Sequence, residues 1–103
     1  MLDGLDSIHQ AHELLLERPA PLRKRLLDAG AEFLLAARHA NEWPGQLRRD
    51  ANRIKARLLS GGDLRSSIET MDQSALDEIE EDLLLFTKAA HQYAACCHSA
   101  RAY

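Results

Sequence analysis

Valine is absent from this 103-residue sequence, and isoleucine and threonine together supply only six residues. β-Strands draw on β-branched and aromatic side chains, and aromatic residues make up only 5% of the chain, so we expect no sheet. In their place the sequence has 18 leucines and 16 alanines, two residue types that favour helices. The composition therefore predicts an all-α fold.

Proline and glycine are also scarce, with three and five residues, and most of them fall at three places along the chain. These places are Pro19–Pro21, Pro44–Gly45 and Gly61–Gly62, where such residues end or redirect helices. They divide the chain into four helical segments, which predict one domain over residues 1–103 folded as a small antiparallel helical bundle. The segments run from residue 3 or 4 to 18, from 21 to 41, from 44 to 60, and from 73 or 75 to 99, with a short helical turn at 64–71.

The sequence lacks the basic N-terminus of a signal peptide and any apolar run long enough to span a membrane. Its two cysteines, Cys96 and Cys97, are adjacent, and neighbouring residues on a helix do not easily reach disulfide geometry. Since a reducing compartment suits such a chain, we expect a cytoplasmic protein that makes no membrane contact. The net charge of −3 argues against polyanion binding, which usually needs a clear basic excess.

The last segment carries the clearest pattern in the chain, with apolar residues at alternating steps of three and four. The seam residues are Leu76, Ile79, Leu83, Phe86, Ala90, Tyr93 and Cys97. Such heptad spacing is typical of helices that pack side by side in bundles. Two N-caps are open for this helix: Asp72, or Ser74 in a capping-box-like pattern with Asp77.

The far half of this helix is the candidate interaction surface. At ~1.5 Å per residue, residues 75–99 would span ~37 Å and residues 44–60 only ~25 Å, so the last helix extends beyond the third. A second copy buries an uncovered apolar stripe of this kind, and twofold symmetry does so in both copies. We therefore predict a homodimer, unless the first or second helix covers the stripe within one chain. The predicted interaction residues are Leu84, Leu85, Ala90, Tyr93 and Cys97.

Two groups of residues resemble metal ligands in composition. His9 and His12 lie near the apolar side of the first helix, and Asp6 gives His9 the acid-x-x-His spacing of di-iron bundles. No second motif of that kind occurs in the sequence, so histidines held by hydrogen bonds are the favoured interpretation. The other group lacks Cys-x-x-Cys spacing, and its two histidines are ~10 Å apart along the helix. This group is His91, Cys96, Cys97 and His98. We predict no metal, no cofactor and no catalytic residue.

Basic residues crowd the third segment. They are Arg48, Arg49, Arg53, Lys55 and Arg57. Such a helix is compatible with nucleic-acid binding. On a helical wheel, however, several of them flank the apolar seam, where charges usually select a neighbouring helix. Because residues 63–103 hold eight acidic and only three basic residues, pairing within the chain or between subunits is favoured.

These observations predict a small helical-bundle protein without enzymatic activity that acts through protein contacts, above all self-association. A nucleic-acid-binding accessory protein that uses the basic third helix is the first alternative. A bundle-core metal or redox protein is the second.

Overall fold

The computed structural model describes residues 4–17 and 20–101, with side chains described as far as residue 95. The helices are α1 (Leu5–Leu15), α2 (Leu22–Ala36), α3 (Gly45–Leu58), α4 (Leu64–Thr70) and α5 (Gln73–Arg101), and a 3₁₀ segment (Ala37–Glu42) follows α2. No strand occurs within these residues, and the predicted all-α fold is confirmed. No helix in this part of the chain combines the length and the apolar character that crossing a membrane requires.

Aspartate side chains cap the starts of α4 and α5. The Asp72 carboxylate accepts a hydrogen bond of 2.8 Å from the Ala75 backbone N–H, and α5 begins at the next residue. Of the two predicted N-caps, Asp72 is therefore the one used, and Ser74 lies inside the helix. At α4, the Asp63 carboxylate accepts from the Ser66 backbone N–H at 2.7 Å, and this bond lowers the pKa of Asp63 below its ordinary value.

Three helices end earlier than the sequence predicts, and the first of them, α1, ends at Leu15 rather than at 18. α2 ends at Ala36 rather than near 41, because the chain tightens into the 3₁₀ segment, a common ending for an α-helix. α3 ends at Leu58 rather than at 60, and Gly62 lies in the turn that leads to α4. Gly62 has a φ of 106°, a left-handed backbone conformation that glycine adopts more easily than residues with a Cβ.

α1 and α2 form an antiparallel hairpin. A Cβ added to Gly4, just before α1, would lie 3.1 Å from the backbone of Ala36 at the end of α2. At the other end of the hairpin, the Arg25 guanidinium donates to the Leu15 carbonyl at 2.8 Å and to the Glu80 carboxylate on α5 at 2.9 Å. One arginine near the start of α2 thus joins the end of α1 to α5.

α5 packs against α1, α2 and α3. The rings of Phe33 on α2 and Phe86 on α5 meet edge to face with their centroids 5.3 Å apart, and the ring centroid of Trp43 lies 5.7 Å from that of Phe86. The predicted heptad seam of α5 is buried from its first member to Ala90. The buried seam residues are Leu76, Ile79, Leu83, Phe86 and Ala90.

Candidate functional site

Three histidine rings meet where α1 runs along the C-terminal half of α5. His9 and His91 are stacked, with ring centroids 4.0 Å apart and an angle of 29° between the ring planes. His12, one helical turn after His9, meets His91 edge-on at 5.7 Å. We call these three residues the histidine cluster. His91, from the second ligand-like group of the sequence, thus meets His9 and His12, the two histidines of the first group. The residue spacing within either group does not indicate this combination.

Thr87 on α5 fixes the proton of His12. Thr87 is fully buried, and its hydroxyl donates a hydrogen bond of 3.0 Å to the Leu84 carbonyl. A hydroxyl has one proton, so its 2.9 Å contact with Nδ1 of His12 requires the histidine ring to donate. His12 therefore carries a proton on Nδ1 in both its neutral and its charged form, and protonation of the ring leaves this bond intact.

His91 has a different environment. Its Nε2 is buried and has no hydrogen-bond partner among the described residues. Burial, followed by the positive charges of His9 and His12 when these rings are protonated, lowers the pKa of His91 below its ordinary value of 6.5. The fold therefore favours the neutral form of His91.

The arrangement of these rings does not suit a metal ion. Within the described part of the chain, no group of three or more histidine, cysteine or acidic side chains is placed to hold one. A zinc ion needs ligand nitrogens that converge on one point at ~2.0–2.1 Å, whereas the stacked rings of His9 and His91 direct their nitrogens along nearly parallel planes. The side chains of Cys96, Cys97 and His98, from the other sequence group, lie outside the described residues.

An open groove of about 430 Å³ runs along α1 beside the histidine cluster. Its walls are Gln10, His12, Glu13, Leu14, Leu16 and Glu17. Because His12 forms part of this wall, water has access to one edge of the cluster.

The basic residues of α3 fall into two groups. Arg57 faces α5 and donates to Glu78 at 2.9 Å and to Asp82 at 3.3 Å, as expected of pairing with the acidic start of the last helix. The other four are exposed and form no ion pair within the described residues, although Arg49 donates to Gln46. These four are Arg48, Arg49, Arg53 and Lys55, and we call them the cationic surface of α3.

The residues predicted for self-association do not form one exposed surface. Ala90 is fully buried within one copy of the chain, and Leu84 is half-buried against the core. Leu85 and Tyr93 are 58% and 39% exposed. The side chain of Cys97 lies outside the described residues. Of the predicted residues whose side chains the structure describes, Leu85 and Tyr93 are therefore the exposed ones.

The exposed side of α5 also carries carboxylates. Glu81 and Asp77 lie one and two turns before Leu85, and all three side chains are exposed. Neither carboxylate pairs with a cation among the described residues, and Asp77 accepts a hydrogen bond of 2.9 Å from Gln73. We call Asp77, Glu81 and Leu85 the outer surface of α5. Its charge is opposite to that of the cationic surface of α3.

Comparison with protein-family models, with curated proteins and with solved structures finds no match for this chain. Its function must therefore be inferred from its own side chains. Two arrangements bear on function: the histidine cluster, and the pair of oppositely charged surfaces on α3 and α5.

Proposed function

We propose that the protein is an interaction module without enzymatic activity that self-associates, and that the cationic surface of α3 in one copy binds the outer surface of α5 in another. The observation that carries this proposal is the presence, on two helices of one chain, of exposed charges of opposite sign that form no ion pair among the described residues. In a closed twofold dimer, the α3 surface of each copy contacts the α5 surface of the other copy, so the same contact forms twice. The proposed interface therefore lies on the acidic half of α5 and retains Leu85 from the residues predicted earlier.

The contact between Arg57 and the carboxylates of α5 supports this pairing, because it shows the same chemistry within one chain. Guanidinium groups suit carboxylates since their planar donors match two acceptor oxygens. Exposed pairs of this kind contribute only ~0.2–1 kcal/mol each, and salt screens them. Leu85, which is 58% exposed, adds apolar area. We therefore expect a weak dimer whose association falls as salt rises.

Light scattering after size exclusion tests the proposal. At ~100 μM protein and ~0.05 M salt we expect a mass above that of the 11.5 kDa monomer, and at ~0.5 M salt a return toward the monomer. The double variant Arg49→Glu/Arg53→Glu should be monomeric at both salt concentrations. The matched control Arg38→Glu/Lys88→Glu changes two exposed cations outside α3, and it should associate like the wild type.

A charge exchange separates a specific contact from a general effect of charge. The variant Asp77→Arg/Glu81→Arg should be monomeric alone, and mixing it with Arg49→Glu/Arg53→Glu should restore a dimer at low salt. A monomeric wild type at ~100 μM and low salt contradicts the proposal. So does a mixture of the two variants that stays monomeric.

Nucleic-acid binding is the second candidate, and the same surface favours it because unpaired arginines suit phosphate groups. The net charge of −3 favours an acidic protein surface instead, since nucleic-acid-binding domains usually carry a basic excess. A gel shift with mixed DNA and RNA distinguishes the two. A salt-sensitive shift that Arg49→Glu/Arg53→Glu abolishes, together with a monomeric wild type, would replace self-association by nucleic-acid binding.

A cytoplasmic location is part of the proposal as well. The adjacent cysteines Cys96 and Cys97 suit a reducing compartment, because neighbouring helical residues do not easily form a disulfide. Fractionation of native cells, with detection by an antibody to this chain, tests the location.

A further inference from the structure

The histidine cluster lies in the contact between α1 and the C-terminal half of α5. His9 and His91 are stacked at 4.0 Å, a separation that two neutral rings favour and two cations oppose. His12 lies 5.7 Å from His91, so all three rings are within range of one another's charge. Two of the three come from α1 and one from α5. Charge on the cluster therefore acts directly on the joint between these two helices.

No carboxylate on α5 lies one helical turn from His91 to compensate positive charge on the histidine cluster. The residues three and four positions from His91 on α5 are Thr87, Lys88, Ala94 and Ala95, none of which is acidic. On α1, the charged residues beside the cluster are Asp6, three positions before His9, and Glu13, four positions after it. Both side chains are exposed, and water screens their charge. The two groups whose charge acts on His91 are His9 and His12. Proton uptake by the cluster thus adds like charges.

A proton on His91 meets a second obstacle. Its buried Nε2 has no acceptor among the described residues, so an N–H there would be buried without a hydrogen bond. The hydrogen bond between His12 and Thr87 survives protonation and does not offset this loss. A proton on His91 is therefore better accommodated when the ring separates from α1 and reaches water.

We propose that the histidine cluster is a pH-sensitive contact, which holds α1 against α5 while its rings are neutral and releases α1 when they are protonated. This inference rests on the ring geometry and is independent of the proposed interface on α3. Release separates α5 from the buried apolar side of α1, which carries Ile8 and Ala11. The cluster would then link acidification to exposure of an apolar surface.

The sign of the pH dependence follows from the lowered pKa of His91. When the pH is below 6.5, the ordinary pKa of histidine, the His91 ring binds a proton in the unfolded or released chain. The packed form binds this proton less readily, because the pKa of His91 is lowered there. The packing contribution of the neutral ring is therefore fully present above pH 6.5. It is lost as the pH falls from 6.5 toward the lowered pKa of the packed state.

Hydrogen exchange measured by mass spectrometry, between about pH 7.5 and about pH 5, tests the release after correction for intrinsic exchange rates. We expect protection of α1 to fall at the lower pH, while protection of α3 stays. The melting temperature should fall over the same range. The variant His91→Phe keeps a ring against His9 but takes up no proton, and it should lose the pH dependence. His39→Gln, at an exposed histidine of the 3₁₀ segment, is the matched control and should behave like the wild type.

A second variant guards against misfolding of His91→Phe. His9→Gln changes an exposed residue, and we expect it to fold and to show a smaller pH dependence than the wild type. If His91→Phe and His9→Gln both keep the wild-type loss of protection in α1, the proposal is wrong. Zinc that raises the melting temperature of the wild type but not of His91→Phe would also overturn it, because the cluster would then be a metal site.

Discussion

At the scale of single residues, Gly4 is a position of the α1–α2 hairpin where a side chain is strained. Its φ of 86° lies in the left-handed region, and an added Cβ would lie 3.1 Å from the backbone of Ala36, closer than an ordinary van der Waals contact. Gly45, at the start of α3, differs in both respects: its φ is ordinary, and an added Cβ would meet only the guanidinium of Arg49 at 3.5 Å. The two glycines therefore serve different purposes.

We expect Gly4→Ala to destabilise the protein by ~2 kcal/mol or more, because the new side chain combines backbone strain with a clash against α2. Gly45→Ala should be neutral or stabilise by up to ~1 kcal/mol, since alanine restricts the unfolded chain and fits the helix. Urea denaturation of the two variants measures both effects. Equal stability of the two would show that Gly4 does not pack against Ala36.

At the scale of helices, the start of α5 depends on one side chain. The carboxylate of Asp72 satisfies a backbone N–H that would otherwise lack a partner in the helix, and Ser74 lies within the first turn. We expect Asp72→Ala to cost ~0.5–2 kcal/mol and Ser74→Ala to change stability by less than ~0.5 kcal/mol. Thermal melting at neutral pH compares them. A larger loss at Ser74 would mean that the capping box is formed after all.

Arg25 is the side chain that connects most elements, and it is largely buried. It donates to the carbonyls of Leu15 and Ala20 and to the carboxylate of Glu80, so its removal leaves three acceptors without this donor. We expect Arg25→Ala to cost ~2–4 kcal/mol in chemical denaturation. The adjacent variant Lys24→Ala removes only an exposed pair with Asp28 and should leave the denaturation midpoint unchanged. Similar midpoints for both variants would contradict the role given to Arg25.

The helices were predictable from sequence because their signals are local. Heptad spacing in α5, the breaks at proline and glycine, and Asp72 as one of two N-caps all depend on residues within a few turns of each other. The histidine cluster was not predictable, because His91 lies on the last helix and His9 and His12 lie on the first, and only the packing of α1 on α5 joins them. The basic residues of α3 were visible as a run in the sequence. Which of them would pair with α5 depended on the rotation of α3 against that helix, which spacing does not specify.

At the scale of the whole molecule, one aromatic residue connects the core. Phe86 is 3% exposed and contacts Phe33 from α2 and Trp43, which lies between the 3₁₀ segment and α3. Its neighbour Leu85, by contrast, is 58% exposed on the other side of α5. Phe86 thus contributes to the stability of the fold, whereas its neighbour Leu85 belongs to the proposed interface.

We expect Phe86→Ala to destabilise the protein by ~3–5 kcal/mol, because it leaves a cavity between two aromatic rings. Leu85→Ala should change stability by less than ~0.5 kcal/mol and should weaken self-association instead. Circular dichroism melts report the first effect, and light scattering reports the second. A Phe86→Ala variant that melts like the wild type would show that the seam of α5 is not the core of this fold.

The pairing of α1 with α5 also governs when the protein can fold during its synthesis. Contacts between residues 75 positions apart form slowly, because a long loop must close before they contribute. At ~5–20 residues per second, a ribosome needs ~4–15 s to travel from His12 to Thr87. Throughout that time the apolar side of α1, including Ile8 and Ala11, has only α2 to cover it. The nascent hairpin of α1 and α2 therefore stays exposed to aggregation and proteolysis until α5 has left the ribosome.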